Sequence, residues 1–167
     1  MQRELLIARH AKSSWKSNAI DDHSRPLNAR GQRDAPVVAA ALLQADLWPD
    51  RVYSSDALRT RETWAKMAAV GPDRPVHFDR RLYLAGMPEV LDWASEWPDD
   101  AKRVLVLGHN PGWEEMAARL AGRWQEMTTS NIAIFRGHGA TWPEALEDAW
   151  QLVRWLRPRE ISLEEAP

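Results

Sequence analysis

The sequence predicts an α/β fold: a mostly parallel central sheet with helices on both faces. Two observations predict it. Short apolar runs alternate along the chain with stretches of helical length and composition, the pattern of a layered sheet protein. Two of those runs, Leu5-Leu6-Ile7-Ala8 and Val104-Leu105-Val106-Leu107, read as buried strands and stop abruptly at polar residues, Arg9-His10 and Gly108-His109-Asn110-Pro111-Gly112. In sheets of this class ligands sit beyond the carboxyl ends of the strands. Two strands ending in histidine therefore suggest one site with two imidazoles, and Arg9 suggests an anion between them.

The elements follow in order. Met1 to Ala8 is a buried strand, and the polar, aperiodic stretch from Lys12 to Pro26 is a loop. Asn28 is a good helix cap, and a helix runs from about Ala29 to Ala45, with Pro36 marking a kink or a late start. Arg51 to Ser54 is a short strand, and Ser55 or Asp56 caps a helix reaching about Val70. Val76 to Phe78 is a short strand after the turn bracketed by Pro72 and Pro75. Pro88 opens a helix ending near Trp97, where the Glu89 carboxylate caps backbone amides. Arg103 to Leu107 is the strongest strand, a helix runs from Pro111 to Gly122, and Ile132 to Phe135 is another strand. Trp150 to Trp155 reads as an antiparallel edge strand, although Glu144 to Trp155 also fits one helix. The acidic tail from Glu160 is expected to fray.

Composition narrows the function. The 167 residues suit one domain, 1–167, with a sizeable core. A net charge of -2 gives no global attraction for nucleic acid or an anionic membrane, so any anion site must be local. The absence of cysteine excludes thiolate catalysis and cysteine-ligated zinc, and is compatible with a cytoplasmic location. No apolar segment approaches the roughly 20 residues of a membrane span, and the N-terminal run is too short for a signal peptide. Ten tryptophans spread from Trp15 to Trp155 point to core and rim packing. His77 and His138 read as structural or exposed.

The polar residues past the strand ends suit phosphoryl chemistry. Arginine matches a phosphate bidentately. Arg59, in the first turn of a helix, would add its charge to amides and a dipole that already favour anions; Arg61 faces elsewhere. A neutral imidazole can attack phosphorus if its other nitrogen donates to a carbonyl, and arginines with a second, protonated imidazole can stabilise the transferring group. His10 suits the first role and His109 the second. Taken singly, each of these residues has a plain structural reading; their joint placement at strand ends is what points to a site. A metal cluster of His10, Asp21, Asp22, His23 and His109 is the alternative, but it lacks a helical His-x-x-x-His pattern and Arg9 would oppose a cation.

These segments resemble a known family. Arg9-His10-Ala11-Lys12-Ser13 resembles the Arg-His-Gly signature of the histidine phosphatase superfamily. The stretch from Ser54 to Thr63 is similar to that family's second phosphate-binding segment, and Gly108 to Gly112 to its second-histidine motif. The opening from Arg9 to Trp15 and the segment Arg25-Pro26-Leu27 resemble the small SixA-type phosphohistidine phosphatases. The likeness runs from about Met1 to Trp155 in the same order, without large insertions. It implies a three-layer α/β/α sandwich, phosphoglycerate mutase-like, and a covalent phosphohistidine intermediate without cofactor or metal. It implies His10 as nucleophile, Arg9, Arg59 and His109 as the other catalytic residues, and Arg25, Ser13 and Lys16 as substrate-binding residues.

The departures from the family pattern are informative. Ala11 replaces the usual glycine, and Lys16 stands where many mutase-like members carry asparagine. Arg81-Leu82-Tyr83-Leu84-Ala85-Gly86 holds no carboxylate where such members keep a proton donor. An alkoxide needs that donor, whereas imidazole is a better leaving group. The expectation is therefore a metal-independent phosphatase acting on protein phosphohistidine, with a histidine-carrier or phosphotransfer protein as partner. Two alternatives remain: a small-molecule phosphomonoesterase that borrows its acid from Asp22, or a phosphoprotein-binding module with little turnover.

Overall fold

Alternation along the apolar strands builds the layers. Successive strand residues point to opposite faces, and both faces here are apolar. The computed structural model describes residues 1–164. Its strands are β1 (Gln2–Arg9), β2 (Arg51–Ser55), β3 (Val76–Asp79), β4 (Arg103–Gly108), β5 (Ile132–His138) and β6 (Gln151–Leu156). All lie in one sheet of order β3-β2-β4-β1-β5-β6. The helices are α1 (Ala29–Gln44), α2 (Leu58–Ala68), α3 (Met87–Ala94), α4 (Gly112–Ala121), α5 (Trp142–Glu147) and α6 (Pro158–Glu164).

Leu5, Ile7, Val104, Val106 and Phe135 face Trp93, Trp113 and Trp142 on one side of the sheet. Leu6, Leu105, Leu107 and Ile134 face Val38, Leu42, Trp64 and Met67 on the other. The result is the expected α/β/α sandwich. A one-residue slip of β1 or β4 would exchange the two sets against differently shaped partners, so the register is tightly specified. Most tryptophans are core residues, whereas Trp15 and Trp124 are exposed. At the end of the sheet away from His10, the buried Arg3 donates to the Asp99, Ala101 and Gly139 carbonyls and lies against Trp142. No helix among the described residues is long and apolar enough to cross a membrane.

The sheet is mixed. β1–β4, β2–β4 and β2–β3 are parallel, but β5 pairs antiparallel with both β1 and β6. The reason lies in the connection after α4. Residues 122–131 return the chain to the His10 end of the sheet, so β5 sets out from there, with Ile132 opposite Ala8. That return also delivers a segment to the site.

Other boundaries differ for local reasons. Pro36 lies inside α1, which still begins at Ala29 rather than late. Asn28 Oδ1 accepts from the Gly31 N–H at 2.9 Å. Gly31 also lies so close to Lys12 that a Cβ would stand 2.2 Å from the Lys12 carbonyl oxygen. α2 is capped by neither Ser55 nor Asp56: its N-cap is Ala57, and the Asp56 carboxylate is turned to His23 at 2.7 Å. α3 stops at Ala94, short of Trp97. The C-terminal region holds both a short helix and an edge strand. Thr141 and Glu144 form a capping box for α5, and β6 follows. The tail does not fray from Glu160, because Pro158 opens α6, which runs to Glu164; Glu165 to Pro167 lie outside the described residues.

Candidate active site

β1 and β4 are adjacent and parallel, with Arg9 opposite Gly108. The residues that follow, His10 and His109, therefore emerge side by side, their ring centroids 5.2 Å apart. Arg59 arrives from the first turn of α2, after β2, which pairs with β4 on its other edge. A chain of hydrogen bonds ties α2 to the end of β1: the Ala11 N–H donates to Thr63 Oγ1 at 2.9 Å, and that hydroxyl donates to the Arg59 carbonyl at 2.6 Å. Ala11 is fully buried in this contact, so the alanine in place of glycine is accommodated.

His10 Nδ1 is 2.7 Å from the Ala11 carbonyl oxygen. A carbonyl only accepts, so the hydrogen is on Nδ1, and the Nε2 lone pair is left for an electrophile. Burial, opposed by the Ala11 hydrogen bond, together with the charges of Arg59, Arg9 and Arg25, lowers the His10 pKa to about 3. The ring is neutral, as a nucleophile requires. It is not the solvent-edge residue its position suggested, for only 7% of its surface is exposed.

His109 corrects a second expectation. Burial, His10 and Arg59 push its pKa down to about 2 against the opposing charge of Asp22, so in the free site it is neutral rather than cationic. Its Nε2 lies 2.7 Å from Ser55 Oγ, which also accepts from the Ala57 N–H at 3.2 Å. Nδ1 is buried and has no partner among the described residues. If the Ser55 hydroxyl donates to Nε2, the neutral ring carries its hydrogen on Nδ1, as a donor for an anionic oxygen. Arg9 Nη1 donates to the Met127 carbonyl at 2.9 Å, and the Nε atoms of Arg9 and Arg59 are buried without acceptors among the described residues. Buried, unpartnered donors around one neutral nucleophile fit a tetrahedral oxyanion.

Two neutral buried imidazoles have a consequence for stability. In the unfolded chain they titrate near 6.5. Below that pH the unfolded chain binds protons that the folded chain refuses, so stability falls as pH drops from about 7 towards 4. We expect Tm to decline over that range and His109→Gln to flatten the decline. An identical slope in the variant would show that the imidazole is not held neutral.

Asp22 is the residue whose role sequence reasoning underestimated. From the sequence it reads as a borrowed acid or as one ligand of a metal cluster. Its Oδ1 accepts from Arg25 Nη1 at 2.8 Å, and its Oδ2 accepts from Arg59 Nη2 at 3.0 Å and from the Tyr83 hydroxyl at 2.5 Å. Partial burial pushes its pKa up, but these hydrogen bonds and the Arg59 charge win and hold the carboxyl well below the usual range. Asp22 thus clasps two arginines and stays ionised at neutral pH. Tyr83 stands edge-on to His109 at 5.4 Å and to His23 at 4.9 Å. The next residue, Leu84, has φ of 52°, a left-handed conformation costing a leucine about 1–3 kcal/mol. Only the proximity of Asp22 to Arg25 in the chain hinted at the first contact; nothing local pointed to Tyr83, or to Met127 and Ser130 beside Arg9 and His10.

The three substrate-binding candidates part company. Arg25 Nη2 donates to Ser13 Oγ at 2.6 Å, and both are buried. The Arg25 guanidinium also lies 3.3 Å from the Trp15 ring centroid. Lys16 is exposed on the loop, its backbone N–H donating to Ser14 Oγ. The metal-cluster candidates are dispersed as well. His23 pairs with Asp56, Asp21 turns to Ser24, and Asp22 clasps the arginines. Among the described residues no group of three such side chains is placed to hold a metal ion.

Comparison with known proteins gives the family and the fold. The family model of the histidine phosphatase superfamily (branch 1) matches residues 5–127. An uncharacterized chloroplastic protein of Arabidopsis thaliana is 36% identical over 95% of this chain and 79% of its own. An uncharacterized protein of Mycobacterium tuberculosis is 37% identical over 90% of this chain and 99% of its own. Among solved structures, a Nakamurella multipartitia protein assigned as the phosphohistidine phosphatase SixA superposes with a TM-score of 0.81 and 27% identity, covering 95% of this chain and 97% of that one. The protein histidine phosphatase SixA complexed with tungstate gives 0.75 at 22% identity, over 96% and 99% of the two chains. A mycobacterial glucosyl-3-phosphoglycerate phosphatase gives 0.64 at 18%, over 93% and 99%. The last two likenesses concern the fold.

Proposed function

The chain belongs to the histidine phosphatase superfamily and is a phosphatase, and from that premise we propose that it hydrolyses phosphohistidine in a protein through a phosphoryl group carried on His10. His10 Nε2 attacks phosphorus, and the bond to the substrate imidazole breaks with its electron pair going to the leaving ring, which takes its proton from solvent. Water then attacks phosphorus, releasing phosphate and restoring the neutral His10. Arg9, Arg59 and the His109 Nδ1 donor stabilise the equatorial oxygens. Arg25 and Ser13 hold the rim through Asp22. We place the activity in a single domain, 1–167, acting in the cytoplasm.

The observation that carries the leaving-group assignment is the state of Asp22. It is the carboxylate that touches Arg59, and it is held ionised, so it is a poor proton donor. Glu89 is engaged as expected, accepting from the Gly86 N–H at 2.8 Å. Imidazole leaves without such help. A protein substrate is supported by the loops around the site, where Trp15, Ile20 and Leu84 are 75%, 95% and 57% exposed. Exposed apolar residues grouped about a polar pocket suit a macromolecular surface.

The test is a comparison of kcat/KM for a phosphohistidine protein, an aryl phosphate and an alkyl phosphate at one pH, since that ratio reports transition-state discrimination. We expect that order of decreasing rate. An alkyl phosphate cleaved as fast as phosphohistidine would reveal a proton donor, and Asp22→Asn and Tyr83→Phe would then identify it. A second expectation concerns Ser55. Ser55→Ala removes the group that orients His109, and should lower kcat by about tenfold, or roughly 1.4 kcal/mol, with KM little changed. A rise in KM alone would place Ser55 in substrate binding instead.

A further inference from the structure

A pocket that grips a transferring phosphoryl group ends every turnover holding inorganic phosphate. Donors aimed at the oxygens of the transition state also meet the oxygens of the product, and slow product release limits many enzymes. The balance of charge around His10 therefore bears on turnover. Both imidazoles are neutral, so the cations of the pocket are Arg9, Arg25 and Arg59. Their counterions are unevenly placed. Arg9 Nη1 donates to the neutral Met127 carbonyl, while Glu114 and Glu126 act on Arg9 through space. The segment carrying Met127 is tied to β1, where the Ser130 N–H donates to the His10 carbonyl at 3.1 Å and the Arg9 N–H to the Asn131 carbonyl at 3.0 Å. Among the described residues, Asp22 is the one carboxylate that pairs directly with the pocket cations, meeting Arg59 at 3.0 Å and Arg25 at 2.8 Å.

The pairing with Arg59 has a direction. Nη1 donates to the Asp22 carbonyl at 2.6 Å and Nη2 to the Asp22 carboxylate, so each terminal nitrogen is tied to the same residue. Nε is buried and has no acceptor among the described residues. Arg59 is thus held by its outer fork and meets an anion with its Nε edge. The Asp22 charge is also felt beyond that guanidinium. Burial, His10 and Arg59 lower the His109 pKa, and Asp22 acts against them.

We propose that Asp22 is a positioning residue that limits how tightly the pocket holds inorganic phosphate: it aims Arg59 and offsets its charge, so that the product leaves. The proposal rests on the phosphatase function above. A fixed negative charge beside a phosphate-binding guanidinium opposes the bound anion, and a partly buried site screens that repulsion less than water does. The carboxylate also occupies an Nη2 hydrogen that an anion would otherwise take. Loss of the charge therefore acts in one direction on both counts, towards tighter phosphate.

Asp22→Asn tests it, because asparagine keeps the size and one carbonyl acceptor but removes the charge. Calorimetric titration with inorganic phosphate should give a Kd about tenfold below that of the natural sequence. In hydrolysis of a phosphohistidine protein, the inhibition constant of added phosphate should fall by the same factor. There kcat and KM should fall together, leaving kcat/KM within about threefold. A merely structural lesion acts the other way, since a loosened Arg59 binds phosphate more weakly. Tyr83→Phe supplies the contrast: it removes the hydroxyl bond to Asp22 Oδ2 and keeps the charge, so its phosphate Kd should stay within about threefold of the natural value. Asp22→Ser removes the charge with a smaller side chain and should tighten phosphate as asparagine does, which keeps the test open if Asp22→Asn does not fold.

Phosphate bound no more tightly by the folded charge-removing variants would overturn the proposal and leave the phosphatase function standing. Equal tightening in Tyr83→Phe would also overturn it, by assigning the effect to the clasp rather than to the charge. The calorimetric readout needs no turnover. Tightening in a chain that cleaves no phosphohistidine would uphold the hold of Asp22 on anion affinity and refute the phosphatase function alone.

Discussion

Replacing His10 with alanine should abolish turnover, by roughly 10⁴-fold or more, the scale seen when a covalent nucleophile is removed. The imidazole is neutral, and its hydrogen is fixed on Nδ1 by the Ala11 carbonyl. The loss should be chemical rather than structural. The ring is largely buried, so its removal leaves the Ala11 carbonyl without its donor, at a cost of about 1–3 kcal/mol. That lowers Tm without unfolding the chain. The measurement combines phosphohistidine hydrolysis, a melting curve and a search for a base-stable, acid-labile phosphoenzyme. The natural sequence should trap label and the variant should not. Turnover retained in a folded His10→Ala protein would end the covalent mechanism.

Arg59→Ala should cost about 2–4 kcal/mol in the transition state, roughly 30- to 1,000-fold in kcat/KM, while Arg61→Ala costs little. The two residues are near neighbours on α2 but belong to different surroundings. Arg59 is 3% exposed, with its charge acting on both imidazoles. Arg61 is exposed, donates to the Asp56 carbonyl at 2.9 Å and lies over Phe78. Arg59 is also held by Asp22, through the backbone oxygen at 2.6 Å and the carboxylate at 3.0 Å. Its removal therefore disturbs the clasp on Arg25 as well, which puts the expected loss in the upper part of that range. Tungstate or vanadate should compete with substrate in the natural sequence and bind far more weakly to Arg59→Ala. A larger loss in Arg61→Ala would show that a different face of α2 meets the substrate.

What could be read along the chain was whatever depends on neighbours in sequence. The unbroken apolar runs Leu5 to Ala8 and Val104 to Leu107 must be covered on both faces, so β1 and β4, and with them a layered α/β fold, were legible in the sequence. An abrupt change from apolar to polar at their ends located His10 and His109. Asn28 and Glu89 were recognisable because a cap is a contact within a few residues. The family signatures carried the rest of that reading.

Tertiary structure decided what depends on partners far apart in the chain. The pairing of β1 with β4, not the separation of the two histidines along the sequence, sets their rings 5.2 Å apart. Burial and surrounding arginines set their charge, and made His109 neutral where an isolated reading had it protonated. Asp22 became a clasp rather than an acid because Arg25, Arg59 and Tyr83 converge on it from three segments. The antiparallel entry of β5, and the wall its approach builds behind Arg9 and His10, follow from where residues 122–131 return to the sheet. Local propensity determines where an element starts and what it can bury. The ionisation and orientation of a side chain are set by the field and the hydrogen-bond partners around it, and those exist only once the chain is folded.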